Sequence, residues 1–113
     1  MKNIVKWVVE ALCLPGAGLV LADHHWDSVT YQRVSIRANS YALIAEGGNI
    51  AVSVGEEGTF LVDDQFAPLT IKLLWEIEQL GGGTPRFLIN THWHFDHAGG
   101  NENLGAAGTL IVA

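Results

Sequence analysis

From Val29 to Ile36, β-branched and aromatic residues interleave with polar ones in the order Val-Thr-Tyr-Gln-Arg-Val-Ser-Ile. That pattern predicts an early, half-exposed strand. Tyr41 to Ala45 is continuously apolar, Gly47-Gly48-Asn49 interrupts it, and Ile50 to Val54 resumes before Gly55-Glu56-Glu57-Gly58 turns the chain into Thr59 to Val62. Short apolar runs parted by glycine-rich breaks predict a meander of three strands. Beyond Asp63-Asp64 the period changes. Pro68 stands where a helix can begin without losing a hydrogen bond, and Leu69, Leu73, Leu74, Ile77 and Leu80 then recur at spacings of three and four. Lys72, Glu76 and Gln79 are placed on the outward side of this amphipathic helix, and Gly81-Gly82-Gly83 ends it. Arg86 to Ile89 is another short apolar run, so strand, helix and strand make a βαβ unit with parallel strands. Gly99 to Gly108 reads as a turn with a short helix, and Thr109 to Ala113 begins a further buried strand.

Composition adds two constraints. The 113 residues suit one domain, and no linker, repeat or low-complexity tract divides Val29 to Ala113. Apolar residues make up 49% and charged residues only 16%. So apolar a short chain implies surface meant to be covered by something else. Six basic and twelve acidic side chains give a net charge of −6 with no basic cluster, which excludes a nucleic-acid partner.

The first 22 residues differ from the rest. Lys2 and Lys6 precede a stretch from Trp7 to Ala22 that is apolar except for Glu10, and Val20-Leu21-Ala22 sets small residues before Asp23. This is the layout of a secretory signal peptide, with a periplasmic or secreted mature chain as its consequence and a cytoplasmic one if the segment is retained. The charge-free run from Ala11 to Ala22 holds Pro15, Gly16 and Gly18 and falls short of the ~20 residues of a membrane anchor. Cleavage after Ala22 removes Cys13, the only cysteine, so disulfides and thiolate metal ligands are excluded. His24 and His25 follow as an ordinary polar stretch.

Chemistry concentrates in His92-Trp93-His94-Phe95-Asp96-His97. In an extended segment alternate side chains share a side, so His92, His94 and Asp96 are expected to converge while Trp93 and Phe95 face packing. His97 joins them if the chain turns after Asp96, which Ala98-Gly99-Gly100 permits. Imidazole and carboxylate donors without thiolate suit zinc best, with iron or manganese as alternatives. A metal there makes water a nucleophile near neutral pH, which points to hydrolysis.

The motif Thr91-His-Trp-His-Phe-Asp-His-Ala-Gly-Gly100, after the apolar run Phe87 to Ile89, resembles the metal-binding signature of the metallo-β-lactamase-fold hydrolases. Gly48-Asn-Ile-Ala-Val-Ser-Val-Gly55 and Gly58-Thr-Phe-Leu-Val-Asp63 resemble that family's opening strands. The resemblance runs from about Val34 onward. It implies an α/β fold, the N-terminal half of an αββα sandwich with a mixed β-sheet and flanking helices. It also implies that His92 and His94 bind one metal, that Asp96 and His97 bind a second, and that Asp96 is the catalytic carboxylate. Asp63 then supports the loop from behind the ligands, with Asp64 as its competitor or as an exposed turn residue. The family's later ligands have no counterpart in Asn101 to Ala113, which hold no His, Asp or Cys. The expected organisation is therefore a signal peptide over 1–22 and a partial domain over 23–113, truncated at its C-terminus.

The implied activity is zinc-dependent hydrolysis of a small amide, ester or thioester, a β-lactam among the possibilities, with two zinc ions in the complete protein. An inactive truncated half-domain and an iron-dependent sulfur-oxidising member of the same fold are the alternatives, and the oligomeric state is left open. Export makes a direct prediction. Intact-mass measurement on protein from its host should find a mature chain beginning at Asp23, and retention of Met1 to Lys6 would contradict it.

Overall fold

The computed structural model describes residues 25–113, and the expected signal peptide lies outside them. Six strands form one sheet in chain order: β1 (Gln32–Arg37), β2 (Ser40–Ile44), β3 (Ile50–Gly55), β4 (Gly58–Val62), β5 (Phe87–Ile89) and β6 (Leu110–Val112). β1 to β4 pair antiparallel as a meander, and the β4–β5 and β5–β6 pairs are parallel. A 3₁₀ turn, Ala67–Leu69, leads into α1 (Thr70–Gln79), which carries the chain from β4 to β5. Two short helices, α2 (Phe95–Ala98) and α3 (Asn101–Ala106), make the next crossover to β6. The expected βαβ unit is thus repeated. Among the described residues no helix is long and apolar enough to cross a membrane.

Alternation along the strands sorts the sheet into two faces. Leu43, Ile50, Val52, Leu61 and Leu88 are buried and share a core with Leu69, Leu73 and Ile77 from the α1 region and Leu104 from α3. Each such side chain contributes about 1.5–3 kcal/mol relative to exposure. The other face carries Ile44, Phe60, Ile89, Leu110 and Val112, all exposed, with Phe60 and Phe87 stacked 5.5 Å apart across β4 and β5. The apolar excess of the composition sits here. β6 is therefore an exposed edge strand at Leu110 and Val112, not the buried strand its composition implied.

The polar side of α1 also differs from expectation. Glu76 is buried and accepts a hydrogen bond from Arg33 Nε of β1. Lys72 Nζ donates to the carbonyls of Trp26, Asp27 and Val29 at 2.8, 2.6 and 2.7 Å. These carbonyls precede β1, and a cation from α1 helps to satisfy them. Ile71 and Trp75 face solvent instead, with the Arg33 guanidinium 5.5 Å over the Trp75 ring. Gln79 is exposed as expected.

Burial decides which α1 residues matter. Leu73→Ala should lower unfolding stability by about 2–5 kcal/mol through the cavity it leaves. Ile71→Ala should change it by less than about 0.5 kcal/mol. Chemical denaturation of the two variants checks the contrast, and equal losses would contradict the assigned helix orientation.

Candidate metal centre

The site lies at the C-terminal ends of β4 and β5, where ligand loops of parallel sheets are found. β4 ends in Asp63-Asp64-Gln65, all three buried, and Asp63 and Gln65 have positive φ of 64° and 61°. Left-handed backbone at a non-glycine residue costs on the order of 1–3 kcal/mol and persists only where surrounding contacts impose it. Those contacts are present. Asp63 N–H donates to the Ile89 carbonyl, Asp64 N–H to the His97 carbonyl at 2.9 Å, and Gly100 N–H to the Gln65 carbonyl. The strained loop is stitched to the segment that carries the motif.

Asp63 is the junction. Its Oδ1 accepts from Thr91 N–H at 2.7 Å, and its Oδ2 accepts from the Thr91 hydroxyl and from His97 Nδ1, both at 2.7 Å. Burial pushes this carboxyl up, but the Thr91 N–H, the His97 ring and the Thr91 hydroxyl outweigh burial and hold it below its ordinary range. It is a carboxylate, and an acceptor only. The Thr91 hydroxyl therefore spends its proton on Asp63, and its lone pair, 2.9 Å from His92 Nδ1, accepts from that ring. His92 and His97 both carry a proton on Nδ1 in this arrangement. Nε2 of each ring is the nitrogen not spent on this network.

The rings themselves are gathered. His92 lies 4.8 Å from His94 and 4.0 Å from His97 between ring centroids, and His97 Nε2 is 3.4 Å from Asp96 Oδ2. Three imidazoles and a carboxylate with no thiolate fit zinc in kind. Among the described residues, no group of three or more His, Cys, Asp or Glu side chains is arranged so that it could hold a metal ion. His92, His94, Asp96 and His97 are thus brought to one place, two of the imidazoles oriented, without a completed coordination shell.

Two expectations about the motif are corrected. The segment is not extended through Asp96, because α2 begins at Phe95 with His94 in the position before its first turn. The period of two stops there, so Trp93 and Phe95 do not pack inward and are each 76% exposed. Asp64 is neither an exposed turn residue nor a substitute for Asp63. It is fully buried, and its Oδ1 accepts from Gly100 N–H at 3.1 Å while its Oδ2 has no partner. Burial and the neighbouring Asp63 charge raise this carboxyl to about 6 against the opposing Gly100 hydrogen bond. Sequence reasoning also passed over Gln65, whose side-chain amide donates to the Gly48 carbonyl, and the hydroxyl role of Thr91. Neither residue type announces such a role, and only the Gly47-Gly48 pair hinted that backbone comes close.

A mixed sheet flanked by helices, with a histidine-rich loop at the ends of its parallel strands, defines an α/β fold of the metal-dependent hydrolase type. Residues 43–112 match the model of the metallo-beta-lactamase superfamily, and the chain belongs to that superfamily. Solved structures agree. A metallo-beta-lactamase of Cronobacter sakazakii with a HARLDQ motif is 26% identical with a TM-score of 0.66, over 73% of this chain and 34% of that one. A subclass B3 metallo-beta-lactamase of Bradyrhizobium japonicum is 25% identical with a TM-score of 0.67, over 76% of this chain and 34% of that one. A metallo-beta-lactamase from Novosphingobium pentaromativorans is 27% identical with a TM-score of 0.63, over 70% and 30%. The chain spans about a third of the length of these proteins. Among curated proteins no match is found.

Asp64 gives a pH-dependent prediction. Its folded pKa, raised to about 6 from 3.8, means that the fold favours the neutral acid. The associated stability is present below about pH 4 and is lost as pH rises to about 6. Asp64→Asn keeps an oxygen for Gly100 and removes the buried charge. Melting temperatures should therefore rise relative to the parent at pH 7.5 and converge with it near pH 4, and an equal shift at both pH values would contradict the buried acid.

Proposed function

We propose that the natural protein is an exported zinc hydrolase of small amide or ester substrates, with β-lactams the favoured class. The observation that carries it is the Asp63–Thr91 network, which turns Nε2 of His92 and His97 outward beside His94 and Asp96. Similarity to three metallo-beta-lactamases supports the substrate class, and the leader-like first 22 residues support export.

His92 and His94 would hold one ion, and Asp96 and His97 a second. Zinc held there supplies Lewis acidity and a nucleophilic water at neutral pH. Asp63 fixes the ring of His97 directly and that of His92 through Thr91, so neither ring must reorganise as charge develops. Asp96, next to His97 Nε2, is placed to take the proton of the attacking water. The water oxygen bonds to the substrate carbonyl carbon, the C–N or C–O bond breaks, and the proton passes to the leaving group.

A second proposal applies to residues 23–113 on their own. With no closed donor set among the described residues and one apolar sheet face exposed, this segment binds metal loosely, self-associates and is inactive.

Metal analysis of the full natural protein should find about two zinc ions per chain, and His94→Ala should remove most hydrolysis of a chromogenic β-lactam. Absence of metal together with activity that survives chelation would overturn the assignment. For the 23–113 segment, turnover no faster than free zinc is expected, and a monodisperse monomer with clear metal-dependent turnover would contradict it.

A further inference from the structure

The turn between β2 and β3 is built against the motif. A Cβ added to Gly48 would lie 2.5 Å from the Asp96 carbonyl oxygen, 2.7 Å from His97 Cε1 and 2.9 Å from His97 Nδ1. Contacts of that length do not occur for real Cβ atoms, and the nearest is a backbone oxygen, which cannot swing aside. Gly48 is buried and lies outside the left-handed region, so a positive φ is not what calls for glycine there. The neighbouring atoms are. The Gln65 side-chain amide, itself fully buried, donates to the Gly48 carbonyl and ties the turn to the loop after β4. His97 thus lies between Asp63, which holds Nδ1, and the bare α-carbon of Gly48, which faces the Cε1–Nδ1 edge of the ring.

We propose that Gly48 is a positioning residue for the Asp96–His97 half of the metal centre, held in place by Gln65; this rests on the zinc-hydrolase assignment above. A single hydrogen bond to Asp63 leaves an imidazole free to tilt about it. The Gly48 backbone limits that freedom, because the ring and the Asp96 carbonyl already occupy the place where a side chain of residue 48 would stand. It also braces the Asp96 carbonyl, and so the first turn of α2, against the 47–49 turn. Glycine is required there because the ring and the α2 backbone occupy the space of a side chain, not because of an unusual φ. The three atoms nearest that position belong to Asp96 and His97, none of them to His92 or His94. The two halves of the centre should therefore respond differently to its substitution.

The test is cobalt(II) titration of the full natural protein, followed by the visible spectrum of the bound ions, with Gly48→Ala, Gln65→Met and Gly83→Ala compared. Gly83 has nothing within 4 Å of an added Cβ and serves as the control. Gly48→Ala should weaken the second ion by at least about tenfold and change its spectrum while the first ion is held nearly as before. Gln65→Met adds no bulk and should weaken the second ion about three- to tenfold, so it decides the matter if Gly48→Ala does not fold. Two ions bound by Gly48→Ala and Gln65→Met with affinities within twofold of the parent would overturn the positioning role and leave the hydrolase assignment standing. A parent protein that binds no cobalt would overturn both.

Discussion

The buried carboxylate of Asp63 is the constraint on which the site depends. Three donors converge on it, the Thr91 amide, the Thr91 hydroxyl and His97 Nδ1, each at 2.7 Å. A carboxylate this deep is tolerated only because its charge is fully hydrogen-bonded. The consequence reaches past its own contacts: an ionised Asp63 fixes the direction of the Thr91 proton, and through it the tautomer of His92. One acidic group at a strand end thereby orients two imidazoles. The left-handed backbone at Asp63 and Gln65 is the cost of placing it there, offset by hydrogen bonds that join the loop to Ile89, His97 and Gly100.

Much of this was legible in the sequence, for physical reasons that differ by element. The meander and α1 follow from local periodicity, and Leu69, Leu73 and Ile77 are the fully buried stripe their spacing demands. The motif was legible because clustered imidazoles and carboxylate are costly without a shared purpose. Periodicity failed where tertiary contacts outweighed it. Glu76 and Lys72 read as solvent-facing, yet one pairs with Arg33 and the other satisfies three carbonyls. The alternation from His92 to Asp96 broke because a helix begins at Phe95, leaving Trp93 and Phe95 exposed. Gly48 and Gln65 act across segments far apart in the chain, and no local pattern encodes that.

The sheet divides its labour between faces. One holds the helices and the core, and its strand ends carry the site; the other presents Ile44, Phe60, Ile89, Leu110 and Val112 to solvent. The chain spans about a third of the length of the relatives it resembles. The histidine-rich loop is organised from within the chain, by the Asp63–Thr91 contacts and by the hydrogen bond from Gln65 to the Gly48 carbonyl.

The most direct test of this organisation is the protonation pattern of the rings themselves. Long-range ¹H–¹⁵N correlation spectra of the metal-free protein should show a proton on Nδ1 of both His92 and His97. A ring protonated on Nε2 alone, at either position, would show that Asp63 does not orient that side chain, and would contradict the account at its centre.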